Sequence, residues 1–167
     1  TQELRLVGSA FDARLDYVIG AYYLDEDGDV DGSTWLDVSL VSRTPIPYQN
    51  RPFRNRFVAD FQNESWALYT QGTYALTDRW NFTAGVRYTE EDREMNKTAM
   101  NSGVAPVQFP QAQEDFDNVS PMGSISYDWS DDIMTYAKVS AGYQSGGFNP
   151  RDPDPVGFTI GFDEETL

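Results

Sequence analysis

Between residues 80 and 89 the chain alternates without a break. Trp80, Phe82, Ala84, Val86 and Tyr88 fall on one side of an extended backbone, and Asn81, Thr83, Gly85, Arg87 and Thr89 fall on the other. A period of two is the mark of a β-strand whose faces meet different surroundings. The apolar face begins and ends in aromatic rings, and at ~3.3 Å per residue its two ends lie ~26 Å apart along the strand. Tilted by about 40°, that spacing approximates the separation of the two aromatic girdles of a membrane barrel, with lipid outside and water inside.

The pattern recurs along the chain. Ser65 to Leu76 alternates more loosely, with Trp66, Leu68, Tyr74 and Leu76 opposite Ser65, Tyr69, Gln71 and Thr73. Only Thr77-Asp78-Arg79 separates it from the strand at Trp80, and so short a link of turn residues predicts an antiparallel hairpin. Downstream, Val119 to Trp129 sets Ile125, Tyr127 and Trp129 opposite Ser124, Ser126 and Asp128, then turns at Ser130-Asp131-Asp132 into Ile133 to Gln144. Upstream, Gln2 to Val7 turns around Ser9 to Ala13 into Arg14 to Leu24. The fold class is therefore all-β: an antiparallel up-and-down meander of about six strands, an incomplete segment of a large transmembrane β-barrel. Its hairpins cover about 2–24, 65–89 and 119–144. Long polar stretches at about 25–63, 94–116 and 145–167, rich in Asp, Asn, Pro and Gly, are predicted to be loops. Outer-membrane barrels sort their connections in this way, short on the periplasmic side and long outside the cell. A soluble β-sandwich or lipocalin-like barrel stays open as an alternative, although neither has a reason to do so.

Composition narrows the function classes. Cysteine and histidine are both absent, which removes disulfides, thiolate chemistry, Ser-His-Asp constellations and the commonest transition-metal ligands. No pair of carboxylates stands out as converging in a cleft, so no enzyme is expected. Lys and Arg number 12 against 27 Asp and Glu, a net charge of -15, and that balance argues against a nucleic-acid partner. No apolar run is long enough for a membrane helix, but a membrane strand hides from such averages. The opening Thr1-Gln2-Glu3-Leu4 lacks signal-peptide order, as a fragment or a mature piece would.

Two stretches of the first long segment carry candidate chemistry. Asp27, Asp29 and Asp31 with Gly32 repeat the first half of a Ca²⁺ loop, although Val38 stands where the bidentate Glu belongs and Asp37 comes one residue early. Weak Ca²⁺ binding at the cell surface is one expectation, and a solvated acidic loop tip is the plainer one. Further on, Arg43, Arg51, Arg54 and Arg56 cluster with Tyr48 and Phe53. Such a set suits an anionic or ring-bearing ligand, the acidic half of the same segment, or lipopolysaccharide phosphates. Arg43, Tyr48, Arg51, Phe53 and Arg54 are taken as ligand-contact candidates. Phe148 joins them, because Gly142-Tyr143-Gln144-Ser145-Gly146-Gly147-Phe148 reads either as a loop base that orders on capture or as a plain strand end. Arg87 and Glu91, on the wet face, are expected to pair with each other or with a plug domain. Trp66, Tyr74, Trp80, Tyr88, Tyr127 and Trp129 are expected at the membrane interfaces.

Three segments resemble the barrel domain of TonB-dependent receptors: Glu64 to Tyr74, Phe82 to Glu91 and Met134 to Asn149. Gln2-Glu3-Leu4-Arg5-Leu6 and Phe162-Asp163-Glu164-Glu165-Thr166 resemble it too, in the family's order and spacing, with departures at Lys138 and Glu164. The resemblance implies a barrel of about 22 strands, multi-pass in a Gram-negative outer membrane and plugged by an N-terminal domain. It implies a receptor that takes up a scarce nutrient such as a siderophore, cobalamin or glycan. Its partners would be outer-membrane lipid and lipopolysaccharide, a small-molecule or metal-chelate substrate, and a TonB-type coupling protein acting through the plug. About six strands cannot close, since single-chain barrels start at eight, and a fragment lacking the plug and the other strands is expected. A passive channel or other barrel, and a secreted Ca²⁺-dependent β-sandwich binding module, are the competing functions.

Overall fold

The computed structural model describes residues 1–35, 53–101 and 105–167, with backbone alone at 34–35, 53–55 and 101. In chain order the elements are β1 (Gln2–Ala10), β2 (Leu15–Trp35), β3 (Phe53–Ala75), β4 (Trp80–Asn101), β5 (Val107–Gln108), β6 (Ala112–Ser130), β7 (Ile133–Ser140), β8 (Tyr143–Gln144), α1 (Pro155–Ile160) and β9 (Glu165–Thr166). The main sheet runs β1-β2-β3-β4-β6-β7, antiparallel throughout, with β5 as a flap on β4, while β8 and β9 pair with each other. That is the expected meander of about six long strands, and the sheet does not close on itself among the described residues.

Register decides which side chains share a face. Phe82 stands opposite Tyr74 on β3 and Ile125 on β6, Tyr88 opposite Leu68 and Val119, and Ile19 opposite Leu6 and Thr70. One face therefore collects Leu4, Leu6, Ile19, Leu68, Phe82, Val86, Val119, Ile125 and Val139, and every one of them is exposed. The other face of the same strands is the more covered one, with Ala67, Ser65 and Thr89 buried. This is inside-out relative to a soluble sandwich, where no second layer would leave Leu4 at 77% exposure and Leu68 at 55%. The rings bracket the apolar band, Trp66 edge-on to Tyr88 at 5.3 Å above, and Trp80 on Tyr127 at 4.6 Å and Tyr127 on Trp129 at 4.7 Å below.

Three tight turns lie at one end. The first is built from Phe11, Asp12 and Ala13, all at positive φ, and the second is capped by Thr77 Oγ1 accepting from Arg79 N and Trp80 N at 3.2 and 3.0 Å. The third joins Ser130 to Ile133. The long connections lie at the other end, called upper below. Here the structure departs from the sequence reading, because much of what was expected as loop is strand. β2 continues to Trp35, β3 begins at Phe53, β4 reaches Asn101 and β6 starts at Ala112. Ladder hydrogen bonding sustains these extensions where the outer face carries no apolar band. Above Tyr23, Trp66 and Tyr88 the outer face turns acidic, with Asp25, Asp27, Asp29, Asp60, Glu64, Glu90, Asp92 and Glu94 in register.

Candidate functional site

Beyond β7 the chain makes a closed excursion. Gly142 and Leu167 exchange backbone hydrogen bonds at 2.9 and 3.0 Å, and Gly147 and Phe162 do so at 3.0 and 2.8 Å, so residues 145–162 leave and return at one place. This strap folds onto the wet face of the sheet's upper half. Phe158, fully buried, meets Phe109 at 5.6 Å between centroids and Phe148 at 6.4 Å, over Ala112, Met95 and Ala99. The helix α1 that delivers Phe158 is specified locally. Asp154 caps it by accepting from Gly157 N at 3.2 Å, Pro155 sits in the first turn, and Gly161 ends it at φ 65. Glycine is required there twice over, since a Cβ would also strike the Gly147 carbonyl.

Lys97 is the unusual residue of this region. Its side chain, on β4, is 3% exposed, and its ammonium donates to the Asp152 carbonyl of the strap. Nζ lies 4.2 Å from the centroid of Phe109, 5.3 Å from Phe158 and 5.8 Å from Phe57. Burial depresses its pKa, and the neighbouring Asp152 charge opposes that shift in part. Beside it, between the upper strand ends and strap residues 149–153, lies a cavity of about 730 Å³ lined by Asp31, Arg56, Phe57, Lys97, Phe109 and Arg151 among others. That is the size of pocket that encloses a small organic ligand.

A second polar knot anchors the strap's near end. Arg93 donates through Nη2 to Ser145 Oγ at 2.5 Å and to Glu91 at 3.0 Å. Tyr143, half-buried beside it, has its phenol pushed up to about 12, first by desolvation and then by Glu91 and Glu164. Arg93 Nε and the Tyr143 hydroxyl are buried without a partner among the described residues.

The family described as TonB dependent receptor-like, beta-barrel matches residues 3–166. This chain belongs to that family. The solved ferric yersiniabactin uptake receptor FyuA from Yersinia pestis superposes on 99% of the chain with a TM-score of 0.73 at 22% identity, so the two share a fold. The chain spans 23% of that receptor's length.

Within this receptor-barrel sheet the sequence-derived candidates separate. Arg43, Tyr48 and Arg51 lie outside the described residues, while Phe53 and Arg54 open β3, just before the cavity-lining Arg56 and Phe57. Phe148 is buried in the aromatic cluster under the strap. Asp27, Asp29 and Asp31 are not on a curled loop, as the sequence reading had them, but project in a row from the extended β2, ~6.6 Å apart at each step. Asp31 accepts from Arg56 Nε at 2.8 Å and from its Nη2, and that hydrogen bonding lowers its pKa. Among the described residues no group of three acidic side chains is placed to hold one metal ion. Arg87 and Glu91 do not pair with each other. Arg87 donates to Thr89 Oγ1 at 3.0 Å and lies over the rings of Tyr22 and Tyr69, and Glu91 takes Arg93 instead. Lys97, Phe109, Phe158 and Arg151 were missed in the sequence. Carrying the alternation past Tyr88 would have put Arg93, Met95, Lys97 and Ala99 on the wet face.

Proposed function

We propose that this chain is part of the wall of a Gram-negative outer-membrane receptor that imports a scarce nutrient, a siderophore chelate, cobalamin, a glycan or a similar molecule, with energy from the inner membrane. One observation carries the reading: a single-layered sheet leaves its aromatic-bracketed apolar face bare among the described residues, while its polar face is the more covered one. Lipid covers the bare band, and lipopolysaccharide surrounds the polar strand ends above it. Substrate enters at the upper end, where the strap and the cavity lie, and a TonB-type protein draws on a plug domain. The receptor family and the likeness to a protein named for ferric yersiniabactin uptake support this reading.

Fractionation tests location. The receptor is expected in the outer membrane, extracted only by detergent, and faster in electrophoresis before boiling than after; a monomer soluble without detergent would point to the sandwich module instead. Uptake separates a receptor from a passive channel. Dissipating the inner-membrane proton gradient is expected to stop import, and import that continues unchanged would favour the channel.

A further inference from the structure

The apolar face is not smooth at its lower rim. Where β6 meets β7 the register slips between Asp128 and Ser130, and the bulge leaves Trp129 without a ladder partner. Its indole Nε1 donates to Thr135 Oγ1 on the neighbouring strand at 3.1 Å, and its ring stands edge-on to Tyr127 at 4.7 Å. Trp80, across the ladder, lies against the same Tyr127 at 4.6 Å. These rings, with Ile125, Thr135 and Ala137, line an outward-facing groove of about 560 Å³. An interfacial indole ordinarily turns its N–H to water or headgroups. Here the N–H is bound within the wall, and the ring is fixed as one side of a trough.

Charges of both signs edge this trough. The Tyr127 hydroxyl meets the Arg79 guanidinium, which is exposed and forms no ion pair among the described residues. One contact leaves most of its five N–H donors open. Asp128 N donates to the Arg79 carbonyl at 2.9 Å, so the turn that carries Asp78 and Arg79 abuts the turn that carries Asp131 and Asp132, all exposed. An apolar trough edged by a guanidinium and then by carboxylates matches a molecule with a hydrocarbon chain, a phosphate and a cation beyond it. A headgroup of negative charge alone would meet Asp131 and Asp132 as like charges.

We infer that this groove holds one phospholipid with a zwitterionic, ammonium-bearing headgroup, its acyl chain between the rings, its phosphate on Arg79 and its ammonium towards Asp131 and Asp132. The inference rests on the receptor reading and places a discrete site in the apolar band that this reading gives to lipid. The test is native mass spectrometry of the detergent-solubilised receptor that carries this chain, titrated with phosphatidylethanolamine and phosphatidylglycerol in equal amounts. Other parts of a barrel also hold lipid, so the readout is the difference between parent and variant. The parent is expected to retain one phosphatidylethanolamine that Ala137→Trp, which fills the groove from the lipid side, does not. Arg79→Gln is expected to weaken retention of that molecule about tenfold. Asp131→Asn together with Asp132→Asn is expected to abolish its preference over phosphatidylglycerol. Equal retention of the two lipids by the parent, or the same number of retained molecules in parent, Ala137→Trp and Arg79→Gln, overturns the site. If this happens in a preparation that still shows heat-modifiable mobility, the barrel reading stands and the site alone falls. A preparation without that signature overturns both.

Discussion

Tyr143 shows how burial is written into a single side chain. Its phenol sits among Glu91, Arg93 and Glu164, and desolvation together with the two carboxylates favours the neutral form, so its pKa rises from 10.0 to about 12. The folded state holds this proton more tightly than the unfolded state. The stabilisation is therefore intact below the unfolded value and is lost as pH climbs through about 12. Subtracting the near-ultraviolet phenolate titration of Tyr143→Phe from that of the parent should isolate one late-titrating tyrosine. A difference curve centred at the ordinary tyrosine value would mean that the phenol is solvated and the strap's near end open. Lys97, a few residues along the wet face from Arg93, obeys the same rule with opposite sign, because burial disfavours its charged form.

At the scale of elements, the strap is held by the Phe109, Phe148 and Phe158 cluster far more than by its six-residue helix, which is too short to persist alone. Phe158→Ala removes the one large side chain that is fully buried among the described residues, a change that typically costs about 3–5 kcal/mol, roughly the energy that docks a short segment. Trypsin should then cut after Arg151 at least about tenfold faster, while the folded sheet keeps its anomalous mobility. Unchanged cleavage would mean that the Arg93 and Lys97 contacts hold the strap without the cluster. Along β4 and β6 a smaller effect tests the acidic band. Asp92 and Asp115 face each other across the ladder, and the hydrogen bond between them, followed by desolvation, raises the Asp92 pKa. Relieving like charges with Asp115→Asn should raise stability at neutral pH by about 0.5 kcal/mol, read as a higher midpoint for loss of the heat-modifiable form. A lower midpoint would show that the pair is stabilising. What the sequence revealed follows the same division. Strands were legible where one face is continuously apolar, as at Trp80 to Tyr88, because there the two faces differ most in polarity. In Asp25-Glu26-Asp27-Gly28-Asp29 both faces are polar, the period of two vanishes from hydropathy, and a strand reads as a loop. The strap cluster was illegible for another reason, since Phe109 and Phe158 meet through tertiary folding and no local spacing relates them. Gly146-Gly147-Phe148 was visible as a motif, but not its role as a buried anchor.

For the whole molecule, the proposed function makes one sheet the boundary between two solvents. At the level of Ala84, paired with Gly72 and Gly123, none of the described residues covers the apolar face, whereas Gln71 and Gly85 at the same height belong to the opposite side. An Arg placed at these two positions meets opposite surroundings a few ångströms apart. On the lipid face at mid-height a guanidinium costs about 2–4 kcal/mol, because the hydrocarbon offers it neither water nor a counter-ion. On the wet face the replacement adds a solvated charge next to a hydrated backbone and is expected to cost less than about 0.5 kcal/mol. Ala84→Arg should therefore lower the amount of receptor reaching the outer membrane and its resistance to denaturant, and Gln71→Arg should leave both near the parent level. Both put an Arg on the same stretch of the β3–β4 ladder, so the introduced side chain is the same and the medium it meets is the main variable. If Gln71→Arg proved the more damaging of the two, the apolar face would have to be covered by protein, and the wall would have been read inside out.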